Sequence, residues 1–158
     1  MPNARALRRG MNLWPPLLFS GIRITRMDDD FRAIDVELRE RFYNRNYVGT
    51  HFGGSLFAMT DPFWMMMVMN NLDRSWTVWD RAGTVEFLKP AKGTVTARFR
   101  LEESLLDEIR ANTPNEGDKY LVTCGVNIDN EAGITVARAT KTLHIRRKTD
   151  TRSRIGGG

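Results

Sequence analysis

The sequence has few of the residues that build disulfides and metal sites, since its 158 residues include one cysteine and two histidines. A single cysteine excludes an internal disulfide and a cysteine-based zinc site. We interpret Cys124 as a small strand residue and not a nucleophile, and its solitary thiol as typical of a reducing, cytoplasmic setting. His51 and His144 lack the spacing of metal ligands, so the sequence predicts no metal site and no cofactor.

Long hydrophobic runs and phosphate-binding loops are also missing. The most apolar stretch, residues 56–69, is too short to span a bilayer and contains Asp61 and Pro62. The N-terminus lacks the apolar core and small-residue cleavage site of a secretory signal. Gly53-Gly54 is followed neither by a Walker lysine nor by the spacing of a dinucleotide fingerprint. We therefore expect a cytoplasmic protein with no membrane span and no nucleotide loop.

The formal net charge of +5 comes from the ends of the chain. Residues 1–9 and 146–158 hold eight of the 24 basic residues but one of the 19 acidic residues, so the remainder is slightly acidic. Terminal basic runs are typical of solvated tails, and a contact with nucleic acid or acidic lipid is the less favoured alternative. We expect no nucleic-acid partner.

Alternating apolar and polar residues predict six strands, at residues 22–27, 31–41, 77–90, 95–101, 120–128 and 134–147. In the last strand the apolar phase changes, which predicts a bulge near Val136 or Ala137. The length suits one domain. We place it at residues 12–147, between a disordered basic N-terminus at residues 1–11 and a disordered basic tail at residues 148–158.

A glycine-rich turn at residues 44–55 leads directly into the apolar stretch at residues 56–69, in which Asp61 is the only charged residue. A helix that is apolar on every side has to be buried on every side, so a curved sheet must wrap it. The sequence therefore predicts an α+β fold with one central helix on an antiparallel sheet. A lone carboxylate in such a helix is costly unless it is paired or used in chemistry, so Asp61 is a candidate functional residue.

This turn resembles a motif of the hotdog-fold acyl-CoA thioesterases of the phenylacetate-pathway type. That motif, N-x-x-G-x-x-H-G-G, precedes an aspartate in the central helix by the separation found here between Gly54 and Asp61. The matching positions in this chain are Asn46, Gly49, Gly53, Gly54 and Asp61. The order of strands and helix also matches over roughly residues 20–147. The resemblance implies a hotdog fold in a homodimer or dimer of dimers, with the site at the dimer interface.

The resemblance also implies the reaction, which would be hydrolysis of an acyl-CoA or acyl-carrier thioester. Asp61 would attack the thioester carbonyl or activate a water molecule. Burial near Phe57 and Trp64 would make this carboxylate a stronger base. Asn46 would orient the thioester or the water.

Backbone amides at the start of the helix would stabilise the negative charge that develops on the thioester oxygen. Gly53, Gly54 and Ser55 supply these amides, and the glycines allow close approach of the carbonyl. The phosphates of CoA would need surface cations, such as Lys89. The residues expected to contact substrate are Ser55, Phe52, Phe57, Trp64 and Lys89.

The histidine of this chain departs from the family motif by one position. Phe52 occupies the place of the family's histidine, and His51 precedes it. In an extended segment a shift of one residue points a side chain to the opposite face. Either a local bulge returns His51 to the site as a catalytic residue, or the imidazole is absent from the site. His144 alternates outward on the last strand, where we expect it to be solvated.

The motif residues also have structural interpretations. Gly53-Gly54 is compatible with a tight turn where helix meets sheet, and Asp61 before Pro62 is compatible with hydrogen bonding to the backbone. The methionines of residues 65–69 favour a core role over lining an acyl tunnel. The alternative function is a non-catalytic hotdog domain that binds a fatty acyl chain.

Overall fold

A computed structural model describes residues 3–149 as one antiparallel sheet packed against helices. Its strands are β1 Ile22–Met27, β2 Ala33–Arg39, β3 Trp76–Phe87, β4 Thr94–Arg100, β5 Lys119–Asn130 and β6 Thr135–Arg147. They lie in the order β1-β2-β4-β5-β6-β3. The helices are α1 Ala4–Leu13, α2 Pro15–Leu18, α3 Gly53–Ala58, α4 Phe63–Asn71 and α5 Glu103–Asn112, with a 3₁₀ helix at Phe42–Asn44. The predicted α+β class is confirmed.

The core lies between the inner face of the sheet and helix α4. Val95, Ala97 and Phe99 alternate inward along β4, and each is fully buried. The ring of Phe99 packs on Phe63 and Trp64 of α4, with centroids 5.2 and 5.6 Å apart. Burial of a side chain of this size contributes roughly 2–3 kcal/mol, so the alternation seen in the sequence is what fixes the sheet onto the helix.

The predicted bulge in the last strand is confirmed. Ile128 of β5 pairs with Ala137, and the next residue, Asp129, pairs with Thr135. Val136 is thus the extra residue, so Val136 and Ala137 are both buried although they are adjacent in the strand.

The prediction of one continuous central helix is wrong, because the apolar stretch forms two helices. Helix α3 ends at Ala58 and α4 begins at Phe63, with Asp61 in the turn between them. Pro62 has no N–H to continue the ladder of hydrogen bonds, and the amide of Asp61 bonds instead to the carbonyl of Ala58 at 3.2 Å. The break places Asp61 at the surface.

The prediction of a disordered N-terminus is wrong for residues 4–11, which lie in helix α1. Residues Ala4, Leu7 and Met11 lie on one face of α1 and pack on the core, so the helix is amphipathic despite its arginines. The side chain of Asn12 bonds to both the N–H and the carbonyl of Ile24, at 2.7 and 3.1 Å. Helix α1 thereby covers the free edge of β1.

The other end of the sheet is open. Within residues 3–149, β3 pairs only with β6, and most of its side chains are exposed. At the C-terminal end, the amide and ammonium of Lys148 donate to the carbonyls of Ser75 and Arg74, both at 2.7 Å. Lys148 therefore belongs to the folded unit, while the rest of the predicted tail beyond residue 149 lies outside the described residues. None of the described helices has the length and apolar character needed to cross a membrane.

Candidate active site

Asn46 organises the loop that precedes α3. Its side-chain oxygen accepts from the amides of Val48 and Thr50, at 3.1 and 3.0 Å. Its side-chain nitrogen donates to the hydroxyl of Thr50 at 2.8 Å and to the carbonyl of His51 at 3.2 Å. Gly49 completes the turn with a φ of 75°, a conformation that favours glycine. Since the Asn46 amide is fully used by its own loop, we interpret it as a loop-shaping residue, and its contact with substrate stays a prediction.

His51 is buried, with 2% of its surface exposed. Its Nε2 lies 2.8 Å from the carbonyl oxygen of Gly93, so Nε2 carries the proton and Nδ1 is left as an acceptor. Nδ1 is buried without a hydrogen-bond partner in the described part of the chain. The amide of Gly93 in turn donates to Glu40 and holds the pKa of that carboxyl below its usual range. His51 thus anchors the loop to the β3–β4 connection.

Helix α3 begins with two open amides. Those of Gly53 and Gly54 donate to no described protein acceptor, whereas the amide of Ser55 bonds to the carbonyl of Phe52 at 3.0 Å. Both glycines have an aromatic ring close by: a methyl group at Gly53 would lie 2.8 Å from Phe87 Cζ, and one at Gly54 would overlap the ring of Phe52. Two of the three amides predicted for an oxyanion hole are therefore free to donate hydrogen bonds to a ligand oxygen.

A cleft of about 420 Å³ opens beside Gly53, the first of these two glycines. Its walls are formed by Asn46, Val48, Thr50, His51, Gly53 and Leu56 on one side and by residues 87–91 on the other. Lys89 is an exposed cation of this wall, as its proposed phosphate contact would require. The remaining predicted contacts lie elsewhere: Ser55 and Trp64 are buried in the core, and Phe52 is exposed at the start of α3.

Asp61 lies outside the cleft, in an ion-paired group that also contains Lys141 and Asp80. The ammonium of Lys141 is 2.5 Å from Asp61 Oδ1 and 3.4 Å from Asp80 Oδ2. It also lies 4.8 Å from the centre of the Phe57 ring. Only 4% of the Lys141 side chain is exposed, so two carboxylates and an aromatic face replace its hydration shell.

The two carboxylates of this group differ in exposure. The Asp61 side chain is 56% exposed, which corrects the prediction that apolar neighbours bury it. The Asp80 side chain is 24% exposed, and its Oδ1 is buried without a described hydrogen-bond partner. Burial raises the pKa of the Asp80 carboxyl, Lys141 opposes this rise, and the charge of Asp61 adds to it.

Helix α3 runs alongside β3, which sets the positions of the cleft and of the ion-paired group. Gly53 touches Phe87, and Phe57 touches Gly83 one helical turn later. Gly83 pairs directly with Lys141, and a methyl group on it would lie 3.0 Å from both Lys141 Cδ and Phe57 Cζ. The missing side chain at Gly83 therefore leaves room for the lysine stem to reach Asp61.

Sequence analysis missed Lys141 and Asp80, although a signal was present. Lys141 falls between Ala139 and Leu143 in the inward-facing set of β6, where a charged residue is out of place. A charge at an apolar position requires a partner, and Asp61 was the unexplained charge in the neighbouring helical stretch. Pairing Lys141 with Asp61, the two charged residues at apolar positions, would have predicted their contact.

The expectation for His144 is wrong. Its ring stacks on Trp79 with centroids 4.0 Å apart, and its Nδ1 is buried without a described partner. Cys124 is buried in β5, and desolvation raises its pKa to about 12, so this thiol is not a ready nucleophile. No group of three or more potential metal ligands comes together within residues 3–149.

The sequence matches one protein family. Residues 3–145 match a family described as a domain of unknown function, DUF4442, which is nearly all of the described chain. The chain belongs to the DUF4442 family. No curated protein sequence matches it significantly.

Solved structures show which architecture this DUF4442 chain has. A Pseudomonas aeruginosa protein of unknown function, described as a probable thioesterase, shares 19% identity with a TM-score of 0.79, over 93% of this chain and 98% of that one. A thioesterase from Haemophilus influenzae shares 15% identity with a TM-score of 0.67, over 96% and 95%. A Chlorobaculum tepidum protein of unknown function shares 18% identity with a TM-score of 0.71, over 92% and 94%. The hotdog fold implied by the sequence resemblance is confirmed.

Proposed function

We propose that this chain hydrolyses acyl thioesters, carried by CoA or by an acyl-carrier protein, and that it does so as a homodimer. One observation carries the proposal: the buried cation Lys141 of β6 fixes a half-exposed carboxylate, Asp61, in a group that includes Asp80 of the edge strand β3. Burying a lysine in order to hold a surface carboxylate costs folding free energy. Such an arrangement therefore favours a functional role for the carboxylate. The thioesterases among the structural neighbours support the same chemistry.

Within one chain, the open amides and the carboxylate lie in different places. Helix α3 spans about 7.5 Å from Gly53 to Ala58 at 1.5 Å per residue, and Asp61 follows in the turn beyond it. Gly53 lines the cleft, whereas Asp61 does not. A thioester carbonyl bound at the amides would therefore need its carboxylate from a second copy.

The open edge of β3 offers a way to bring the two halves together. An antiparallel pairing of β3 with a second β3, centred between Gly83 and Thr84, would set Phe87 opposite the partner's Asp80. Because Gly53 touches Phe87, the amides of one protomer would then face the partner's Asp61. This arrangement agrees with the interface location that the family resemblance implies.

The proposed reaction uses Asp61 as a general base. It takes a proton from water while the water oxygen adds to the thioester carbonyl carbon, and the amides of Gly53 and Gly54 stabilise the resulting oxyanion. The carbon–sulfur bond then breaks, and the departing thiolate receives the proton from Asp61. The products are a carboxylic acid and a free thiol.

Lys141 and His51 have supporting roles in this proposal. Lys141 fixes the position of the Asp61 carboxylate, and Asp80 supplies the second charge that makes burial of the lysine tolerable. His51 fixes the loop that forms one wall of the cleft, since its Nε2–H is bonded to Gly93. The cleft, with Lys89 at its wall, would accept the substrate.

The test is release of free thiol from a panel of acyl-CoA esters that differ in acyl length and in aromatic content. We expect the wild type to hydrolyse part of the panel and Asp61→Asn to lose at least about a hundredfold in kcat/KM. Asp107→Asn, a change of the same kind on the exposed face of α5, serves as the matched control and should leave the activity unchanged.

Equal hydrolysis by wild type and Asp61→Asn would remove Asp61 from the mechanism. No hydrolysis of any ester, together with fatty acid that co-purifies and is detected by mass spectrometry, would favour the acyl-binding alternative. The same measurements therefore separate the two functions.

A further inference from the structure

A shallow depression at the corner opposite the β3 edge carries unpaired positive charge. It has a volume of about 380 Å³ and lies between helix α2, the ends of β1 and β2, and the 3₁₀ helix. Arg23, Arg39 and Arg41 line it. Arg39 is paired with Glu37 at 3.0 Å, whereas Arg23 and Arg41, both exposed, have no carboxylate partner in the described residues. Two guanidinium groups are therefore free to bind an anion.

Large exposed apolar side chains lie in and next to the segments that line this depression. Leu18 and Tyr43 form part of its wall, and the rings of Tyr43 and Phe42 touch with centroids 5.2 Å apart. Phe42 is 88% exposed and Phe19 is 74% exposed. We define the corner surface as Leu13, Trp14, Leu18, Phe19, Phe42 and Tyr43 together with the three arginines. A contiguous exposed group of leucine and aromatic residues marks an interaction surface.

We infer that the corner surface docks on an anionic phospholipid bilayer, with arginines on lipid phosphates and the apolar side chains in the headgroup boundary. Leucine and aromatic side chains beside arginine are the composition of surfaces that lie in this boundary. The charge of the depression supports it as well, since Arg23 and Arg41 are exposed and no described carboxylate neutralises them. This docking is independent of the proposed hydrolase function.

The alternative occupant, a second copy of the chain, is disfavoured by charge. A two-fold interface brings the same surface against itself, so the unpaired Arg23 and Arg41 would face their own copies. Like charges placed together across an interface cost several kcal/mol, whereas lipid phosphates neutralise them. The corner surface also lies near the β1 edge of the sheet, so docking there leaves the β3 edge free for the proposed dimer.

The test is co-sedimentation of the full-length protein with vesicles of phosphatidylcholine and with an equimolar mixture of phosphatidylcholine and phosphatidylglycerol. We expect binding to the mixed vesicles only, and its loss at high salt. Arg23→Gln with Arg41→Gln should weaken binding on the order of thirtyfold, given the usual contribution of a basic residue near an anionic surface. Phe19→Ser with Phe42→Ser should weaken it to a similar extent.

The matched control variants remove two positive charges, or one exposed apolar side chain, at positions outside the corner surface. Arg74→Gln with Arg146→Gln removes two exposed arginines away from the corner surface, and Ile134→Ser removes an exposed apolar residue in the β5–β6 turn. Both controls should bind the mixed vesicles as the wild type does. Thermal melting checks that all variants fold.

Three results would overturn the inference. One is an absence of binding to mixed vesicles, which would leave an acidic protein as the partner to seek. Another is undiminished binding by both corner variants, which would assign the contact to other basic segments such as the C-terminal residues. The third is a change of molecular mass in solution for Phe19→Ser with Phe42→Ser, which would make the corner surface an interface between copies.

Discussion

The ammonium of Lys141 lies 2.5 Å from a carboxylate oxygen of Asp61, although the lysine is almost fully buried and the aspartate is more than half exposed. The pair therefore joins the turn after α3 to strand β6 of the sheet. A buried ammonium group cannot form hydrogen bonds with water, so it depends on its carboxylate partners. It therefore restricts the positions that those carboxylates can take. Asp61 owes its position to this anchor.

Replacing Lys141 by methionine should reduce thioester hydrolysis without abolishing the fold. The stem volume is retained, but Asp61 loses its anchor, and we expect kcat to fall on the order of tenfold with KM little changed. The free energy of unfolding should fall by about 1–2 kcal/mol, because Asp80 loses its charge partner while the exposed Asp61 remains hydrated. Thiol release and urea unfolding measure the two effects.

Lys119→Met, on the exposed side of β5, is the control for this change and should alter neither quantity. Lys141→Arg tests the role of charge, since it keeps the cation in a larger side chain. Unchanged kcat in Lys141→Met, with Asp61→Asn inactive, would show that Asp61 acts without its anchor.

Asp80→Asn should change the pH dependence of stability. Burial raises the pKa of Asp80 above 3.8, so the folded state binds this proton more tightly than the unfolded state. The stability from that proton is complete below pH 3.8 and is lost as the pH rises through the raised pKa. Asp80→Asn has no carboxyl that can lose this proton. The unfolding free energy of the variant minus that of the wild type should therefore increase as the pH rises from 3.8 through the raised pKa.

Urea unfolding of both proteins at a series of pH values, starting below 3.8, checks this prediction. A difference in unfolding free energy that stays constant with pH would contradict the assignment of Asp80 as a buried carboxyl with a raised pKa.

Mixed dimers should recover activity from two inactive variants. Asp61→Asn removes the base, and Gly53→Val places a side chain against Phe87 beside the open amides. In a two-fold dimer that shares its sites, the mixed species has one site with both changes and one with neither, so about half of wild-type activity should return.

Differently tagged subunits allow the mixed dimer to be purified and assayed. Mixed dimers as inactive as either parent would show that each site is built within one chain. Melting temperatures close to wild type are required of both variants before mixing.

Asn12→Leu should destabilise the edge of the sheet. It removes two hydrogen bonds to the backbone of Ile24, which leaves a buried amide and carbonyl unpaired, at a cost on the order of 1–2 kcal/mol. Asn127→Leu, on the exposed face of β5, should cost less than about 0.5 kcal/mol. Equal losses for the two changes in urea unfolding would mean that α1 contributes little to the β1 edge.

The strands could be predicted from the sequence because a sheet with one buried face places alternate side chains in the core. The same argument located the bulge at Val136, since a change of phase has to be absorbed by an extra residue. Helix α1 was missed because its three arginines suggested a solvated tail, although Ala4, Leu7 and Met11 carry the spacing of a packed face.

The candidate site was harder to predict because its parts are joined by tertiary contacts. Gly53, Gly54 and Asp61 lie close together in the sequence, so the motif was enough to identify them. Lys141 is 80 residues away from Asp61 along the chain, and only the pairing of Gly83 with Lys141 shows that the two can meet. Asn46 and His51 have the right identities for catalysis, but their hydrogen bonds to the loop and to Gly93 are visible only in the structure.

The unequal edges of the sheet limit how far this fold can assemble. Asn12 of α1 occupies the backbone N–H and carbonyl of Ile24 in β1, whereas within residues 3–149 β3 is paired on one side only. Sheet extension can therefore proceed through β3 alone, and two copies joined there present a blocked β1 at each end. Growth by edge pairing ends at that point, so the helix that keeps one strand covered also protects the protein from forming open-ended fibres.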